Sequence, residues 1–147
     1  MTAPRPVTIV IAEDDEQDYM LAELALRQAG VANPLVRVKD GAELMEFLLR
    51  QGSYQARGAL PWPLVLLLDL RMPRKDGWEA LDEIKSHPRL RKIPVVVLTT
   101  SREPDDIARC YELGASSYIK KPMGIDQLLK ILDAFRRYWL EVVEFPL

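Results

Sequence analysis

The sequence predicts a doubly wound α/β fold, a five-stranded parallel sheet with helices on both faces. Three observations carry that expectation. Short apolar runs alternate with helix-period segments along the chain. The runs are apolar throughout, as strands buried on both faces are. Pro and Gly punctuate the junctions, as in Leu70-Arg71-Met72-Pro73-Arg74-Lys75-Asp76-Gly77.

The elements follow in order. Thr8-Ile9-Val10-Ile11-Ala12 reads as the first strand and runs into Glu13-Asp14-Asp15. A helix is expected over Gln17 to Gln28, with Met20, Leu21, Leu24 and Ala25 at helical spacing and Gly30 as its stop. Leu35-Val36-Arg37-Val38 is a short second strand. Asp40-Gly41 opens a helix with Leu44, Phe47 and Leu48 on one face. The stretch from Gln51 to Pro63 holds four breakers and reads as a long loop. Leu64-Val65-Leu66-Leu67-Leu68 is the third strand and ends at Asp69. A helix from about Trp78 to Ser86 carries Leu81 and Ile84. The basic loop His87-Pro88-Arg89-Leu90-Arg91-Lys92 is read as solvated charge. It leads into the strand Val95-Val96-Val97-Leu98, which ends in Thr99-Thr100-Ser101. A helix from Asp105 to Leu113 closes at Gly114, and Ser117-Tyr118-Ile119 leads to Lys120-Lys121-Pro122. The last helix starts near Ile125, with Leu128, Ile131, Leu132 and Phe135 in one stripe. Right-handed crossovers join the strands.

Composition narrows the function. A chain of 147 residues, 48% hydrophobic, fits one domain, expected over 5–137, followed by an apolar tail over 138–147. The net charge of -2 gives no electrostatic case for nucleic-acid binding. No apolar run approaches the ~20 residues of a membrane span, and the first strand breaks too soon for a signal peptide. The single cysteine, Cys110, sits on a helix face, reads as a buried inert thiol and suits a reducing cytoplasm. No output domain, linker or internal repeat is discerned.

The strand ends carry the chemistry. In an open parallel sheet the carboxyl ends of the strands share one rim, where ligands gather. Here they deliver acids, one acid, hydroxyls and a lysine. Glu13, Asp14 and Asp69 would crowd one pocket. Two like charges ~4 Å apart repel by about 4 kcal/mol at an effective dielectric near 20. Such a cluster raises a carboxylate pKa or binds a hard cation such as Mg²⁺. Asp15 reads better as a cap for the next helix.

With these residues in view, the chain resembles the receiver domain of bacterial two-component response regulators, from about Val7 to Arg137. Leu68-Asp69-Leu70, Pro73-Arg74-Lys75-Asp76-Gly77, the run from Ile93 to Ser101 and the segment Tyr138-Trp139-Leu140-Glu141-Val142-Val143 look like the stand-alone regulators of bacterial and cyanobacterial phytochromes. The resemblance implies a cytoplasmic protein that takes a phosphoryl group from a histidine kinase, a bacteriophytochrome being the candidate, on Asp69. Asp14, Asp69 and the backbone carbonyl of Arg71 would ligate Mg²⁺, with Glu13 acting through bound water. Lys121, the Thr99 hydroxyl and the Thr100 backbone N–H would bind phosphoryl oxygens. A cis Lys121–Pro122 bond is implied. Thr99 and Tyr118 would form the switch, against a plain reading of Tyr118 as a static strand aromatic. Arg71 and Ser101 would tune the phosphate lifetime. Beyond its own phosphorylation and dephosphorylation, no enzymatic activity is implied.

The tail holds more apolar groups than water tolerates at a surface. It either folds back on its own domain or packs on a second copy. The resemblance favours a homodimer built on the fourth and fifth helices, the fifth strand and Tyr138, Trp139, Leu140, Val142 and Val143. Three rival readings remain. A phosphatase of the haloacid-dehalogenase type needs a second Asp two residues after Asp69, where Arg71 stands. A flavodoxin-like cofactor binder needs a phosphate loop after the first strand, where Glu13-Asp14-Asp15 would repel phosphate. A phosphate-independent interaction module is the third, disfavoured because every residue of the receiver pattern is present.

Overall fold

The computed structural model describes residues 6–146. Residue 5 and Leu147, the outer limits of the expected domain and tail, lie outside the described residues. Five parallel strands, β1 (Thr8–Ala12), β2 (Leu35–Val38), β3 (Leu64–Leu68), β4 (Val95–Thr99) and β5 (Ser117–Lys120), form one sheet in the order β2-β1-β3-β4-β5. Between and after them run α1 (Glu16–Gln28), α2 (Gly41–Leu49), α3 (Gly77–Ser86), α4 (Pro104–Glu112) and α5 (Ile125–Arg136).

Period-two alternation divides the sheet's side chains between two cores. Val10, Leu64, Leu66, Leu68, Val95 and Val97 face one core with Leu44 and Phe47 of α2, Leu81 and Ile84 of α3 and Cys110 of α4. Ile9, Ile11, Val65, Leu67, Val96 and Leu98 face the other, with Ala22, Ala25 and Leu26 of α1 and Leu132 and Phe135 of α5. Cys110 is fully buried, and burial pushes its thiol pKa up to about 11, so it stays protonated and inert.

The starts of α1, α2 and α3 are fixed by side-chain caps. Asp15, Asp40 and Asp76 each accept the backbone N–H three residues on, at 2.9, 2.7 and 2.9 Å. The cap role expected of Asp15 holds. The stretch over 51–63 is not bare loop: Gly52–Arg57 form a 3₁₀ turn, pinned by Tyr54 packed edge-on against Phe47 at 5.2 Å.

One expectation needs correction, and the spaced apolar residues of α1 divide: Met20, Leu21 and Leu24 are 57, 42 and 46% exposed, while Ala25 is buried. α1 has two apolar stripes, and the one with Ala22 and Ala25 lies inward, because small side chains let the helix pack closely on the sheet and α5. Among the described residues the cis peptide bond is Trp62–Pro63, not Lys121–Pro122. Lys121 is held instead by its N–H, which donates to the Thr99 carbonyl at 2.7 Å, and by side-chain ion pairs.

After α5 the chain makes a wider turn over Arg137–Val142 and folds back. Trp139 is buried, with Phe145 6.1 Å from its ring and Leu140 and Val143 packed on the α1–α5 core. The Trp62 indole donates to the Pro146 carbonyl at 2.9 Å, tying the tail to the chain just before β3.

Candidate functional site

Register places the acids. The Asp69 N–H donates to the Ala12 carbonyl at 3.1 Å and the Glu13 N–H to the Val38 carbonyl at 3.0 Å, so the residues just past β1 and β3 stand side by side. Arg37 on β2 stacks over the Tyr19 ring at 5.0 Å and donates to the carbonyls of Glu13 and Asp14, both at 3.3 Å, fastening the acid-bearing loop. Gly77 closes the other side. Its N–H donates to the Leu70 carbonyl at 2.8 Å, and a Cβ there would collide with the Asp69 carbonyl oxygen. Only glycine lets α3 begin so close to the Asp69 peptide.

Glu13, Asp14 and Asp69 bring one carboxylate oxygen each within 4.8 Å of one another. Asp69 is 9% exposed and Glu13 5%. Burial pushes the Glu13 carboxyl up to about 7, the Lys121 hydrogen bond pulls it back, and the charge on Asp69 raises it again. Converging hard oxygens in a repelling cluster are what a divalent cation needs, and the residues present fit one.

Lys121 reaches across the rim. Its Nζ donates to Glu13 Oε1 at 2.5 Å, Asp18 Oδ2 at 3.0 Å and Asp69 Oδ2 at 3.0 Å. Burial works against the ammonium, yet these carboxylates outweigh it and hold the lysine pKa above its usual value. Lys121 is therefore charged. Arg71 donates its N–H to Asp69 Oδ1 at 3.4 Å, which sets that residue at the rim. Thr99 is buried, and its hydroxyl has no hydrogen-bond partner among the described residues. Thr100 follows it, exposed. Tyr118 is half-buried, donating its hydroxyl to the Ser101 carbonyl at 2.9 Å and its N–H to the Tyr111 hydroxyl at 3.2 Å.

The structure thus gathers Glu13, Asp14, Asp69, Arg71 and Lys121 in one place, with Thr99 and Thr100 at the adjoining strand end. The tail residues lie at the opposite rim. There Trp139, Leu140 and Val143 turn inward, while Tyr138 and Val142 remain 54 and 68% exposed. Sequence reasoning missed Asp18. Its signal was present: Asp18 falls in the first turn of the helix that starts directly after Glu13-Asp14-Asp15. It also missed the exposed apolar collar. Leu21, Met123, Ile125 and Leu128 line a cleft of about 90 Å³ that opens beside Asp69 and Lys121.

A sheet of this order with an acid cluster and a lysine at its rim defines a signalling receiver. Residues 9–133 match the model of the response regulator receiver domain, and the chain belongs to that family. Over 141 residues it is 40% identical to the response regulator Rcp1 of Synechocystis sp., covering 96% of this chain and 94% of that protein. The Mn²⁺-bound form of Rcp1 superposes with a TM-score of 0.87 at 39% identity, over 97% of this chain and 100% of that one. The phosphorylated cyanobacterial phytochrome response regulator RcpA gives 0.88 at 39% identity, over 97 and 99% of the two chains. The chain is a response regulator of the two-component class, and its acidic cluster suits a divalent metal.

Proposed function

We propose that Asp69 is the phosphoacceptor, that Mg²⁺ is the working metal and that the donor is a histidine kinase of the phytochrome type. The observation that carries this is the convergence of Lys121 Nζ and three carboxylates, Asp69 among them, at the end of β3. Asp69 attacks the phosphorus of a phosphohistidine. The N–P bond breaks, an acyl O–P bond forms, and the imidazole leaves with the electron pair. Asp14, Asp69 and the Arg71 carbonyl would hold Mg²⁺, with Glu13 acting through a bound water; the ion supplies charge neutralisation for the transferring group. Lys121 gives one phosphoryl oxygen a point charge, and the Thr99 hydroxyl with the Thr100 N–H binds another. The unpartnered Thr99 hydroxyl fits that role. Its movement toward phosphate would let Tyr118 leave the Ser101 carbonyl and turn inward, a two-state change.

The kinase partner is supported by the exposed Leu21, Met123 and Ile125 that line the cleft beside the acceptor, with Met123 98% exposed. An apolar collar around a charged centre suits a helical partner whose own histidine must reach inside. The names of the relatives add the phytochrome reading. A homodimer through α4, β5, α5 and the tail rests on Tyr138 and Val142, beside a groove lined by Ile119, Ile131 and Phe135. A cytoplasmic setting is supported by the single, buried cysteine, which has no partner for an internal disulfide.

Incubation with Mg²⁺ and acetyl phosphate should place one hydroxylamine-labile phosphate on Asp69, read by mass spectrometry. Asp69→Asn should carry none. A wild-type chain that binds Mg²⁺ yet takes no phosphate from donor or kinase would favour the phosphate-independent module.

A further inference from the structure

We infer that Asp18 is a positioning residue for phosphoryl transfer, a fixed tether that holds the Lys121 ammonium over the acceptor. The inference rests on the reading of Asp69 and Lys121 given above. An ammonium has three N–H donors. All three are engaged here, by Glu13, Asp18 and Asp69. Two of these acceptors belong to the metal-binding cluster; Asp18 does not. When a cation and a phosphoryl group occupy the site, Glu13 and Asp69 must redirect oxygens toward them. Asp18 has no such second duty, so its bond to Lys121 can persist through the reaction.

Its own placement is secure. Asp18 lies in the first turn of α1, and its backbone N–H is held by Asp15 Oδ1 at 2.9 Å. The side chain is 44% exposed, so its charge keeps much of its hydration. Lys121 is on the far side of the sheet in sequence, reached only because β1 and β5 end at the same rim. Four rotatable bonds would otherwise let the lysine wander. One persistent bond confines Nζ and leaves the other two N–H groups free to turn from carboxylates to phosphoryl oxygens. The step itself is unchanged: Asp69 gains the phosphoryl group, the donor loses it, and the lysine moves no proton.

The test is the rate of acyl phosphate formation at saturating acetyl phosphate and Mg²⁺. Asp18→Ala should slow it about tenfold, with the Mg²⁺ dissociation constant and melting temperature near those of the wild type. Asp18→Asn, whose amide oxygen still accepts, should recover most of that loss. In a Lys121→Gln background, Asp18→Ala should have less than about a twofold effect, because the tether then has nothing to hold. An unchanged rate in Asp18→Ala overturns the inference, and so does an equal fall in both backgrounds. If Asp69→Asn still forms the phosphate, the site reading fails as well. If Asp69→Asn is silent and Asp18→Ala is not slowed, the tether alone fails.

Discussion

Thr99 has its hydroxyl sealed from water and unmatched by any acceptor or donor among the described residues. A buried polar group in that condition costs about 1–3 kcal/mol. A receiver that needs the hydroxyl for phosphate carries that cost in its resting state. Thr99→Val, of similar shape, should therefore melt higher, by about 1 kcal/mol of stability, while losing the conformational response to phosphorylation. Differential scanning calorimetry with and without acetyl phosphate reads both. At this scale the sequence was most legible where a residue's role is set by its strand end. Asp69, Glu13 and Lys121 announce themselves by following apolar runs. Asp18 did not, because its contact depends on a lysine 103 residues away that only the closed sheet brings near. The geometry of the Lys121–Pro122 bond was equally beyond reach, since it is set by tertiary contacts.

Among the elements, α1 and the tail teach most. The helical spacing of α1 was plain, but a helix with two apolar stripes does not say which one faces in. Packing distance decides: Ala22 and Ala25 permit close approach, so Met20, Leu21 and Leu24 are left outside. The tail's apolar content was equally plain, and its division between two tasks was not. Trp139 fills the α1–α5 core, whereas Tyr138 and Val142 face solvent. The two tasks separate experimentally. Replacing Tyr138 and Val142 together by Asp should yield a monomer in sedimentation with little change in melting. Ending the chain at Arg137 should also remove Trp139 and lower stability by about 3 kcal/mol. A fully dimeric double variant would refute the interface.

For the whole molecule, the central fact is an unequal distribution of charge. The rim holds Glu13, Asp14, Asp18 and Asp69 against one ammonium, on a chain whose net charge is only -2. Such crowding opposes folding, and a bound cation relieves it. Mg²⁺ at ten times its dissociation constant should add about 1.4 kcal/mol of stability, raising the melting temperature by about 5 °C, reversibly with chelator. Asp14→Asn should raise the melting temperature without metal and blunt the response to it. The five-stranded parallel sheet was legible, because strand and helix periods alternate cleanly, whereas the order of the strands within it is not carried by those periods.

The three tryptophans are divided between the two rims. Trp62 and Trp139 serve the far end, one bonded to Pro146 and the other buried against Phe145. Trp78 alone lines the groove that holds Asp14 and Arg71, with the Arg109 guanidinium of α4 5.0 Å from its ring. Its emission therefore samples the electric field at the metal site and the position of α4 together. Changing the other two to Phe would turn the chain into its own optical gauge, in which ion entry beside Asp14 and any displacement of Arg109 from the Trp78 ring register in one signal.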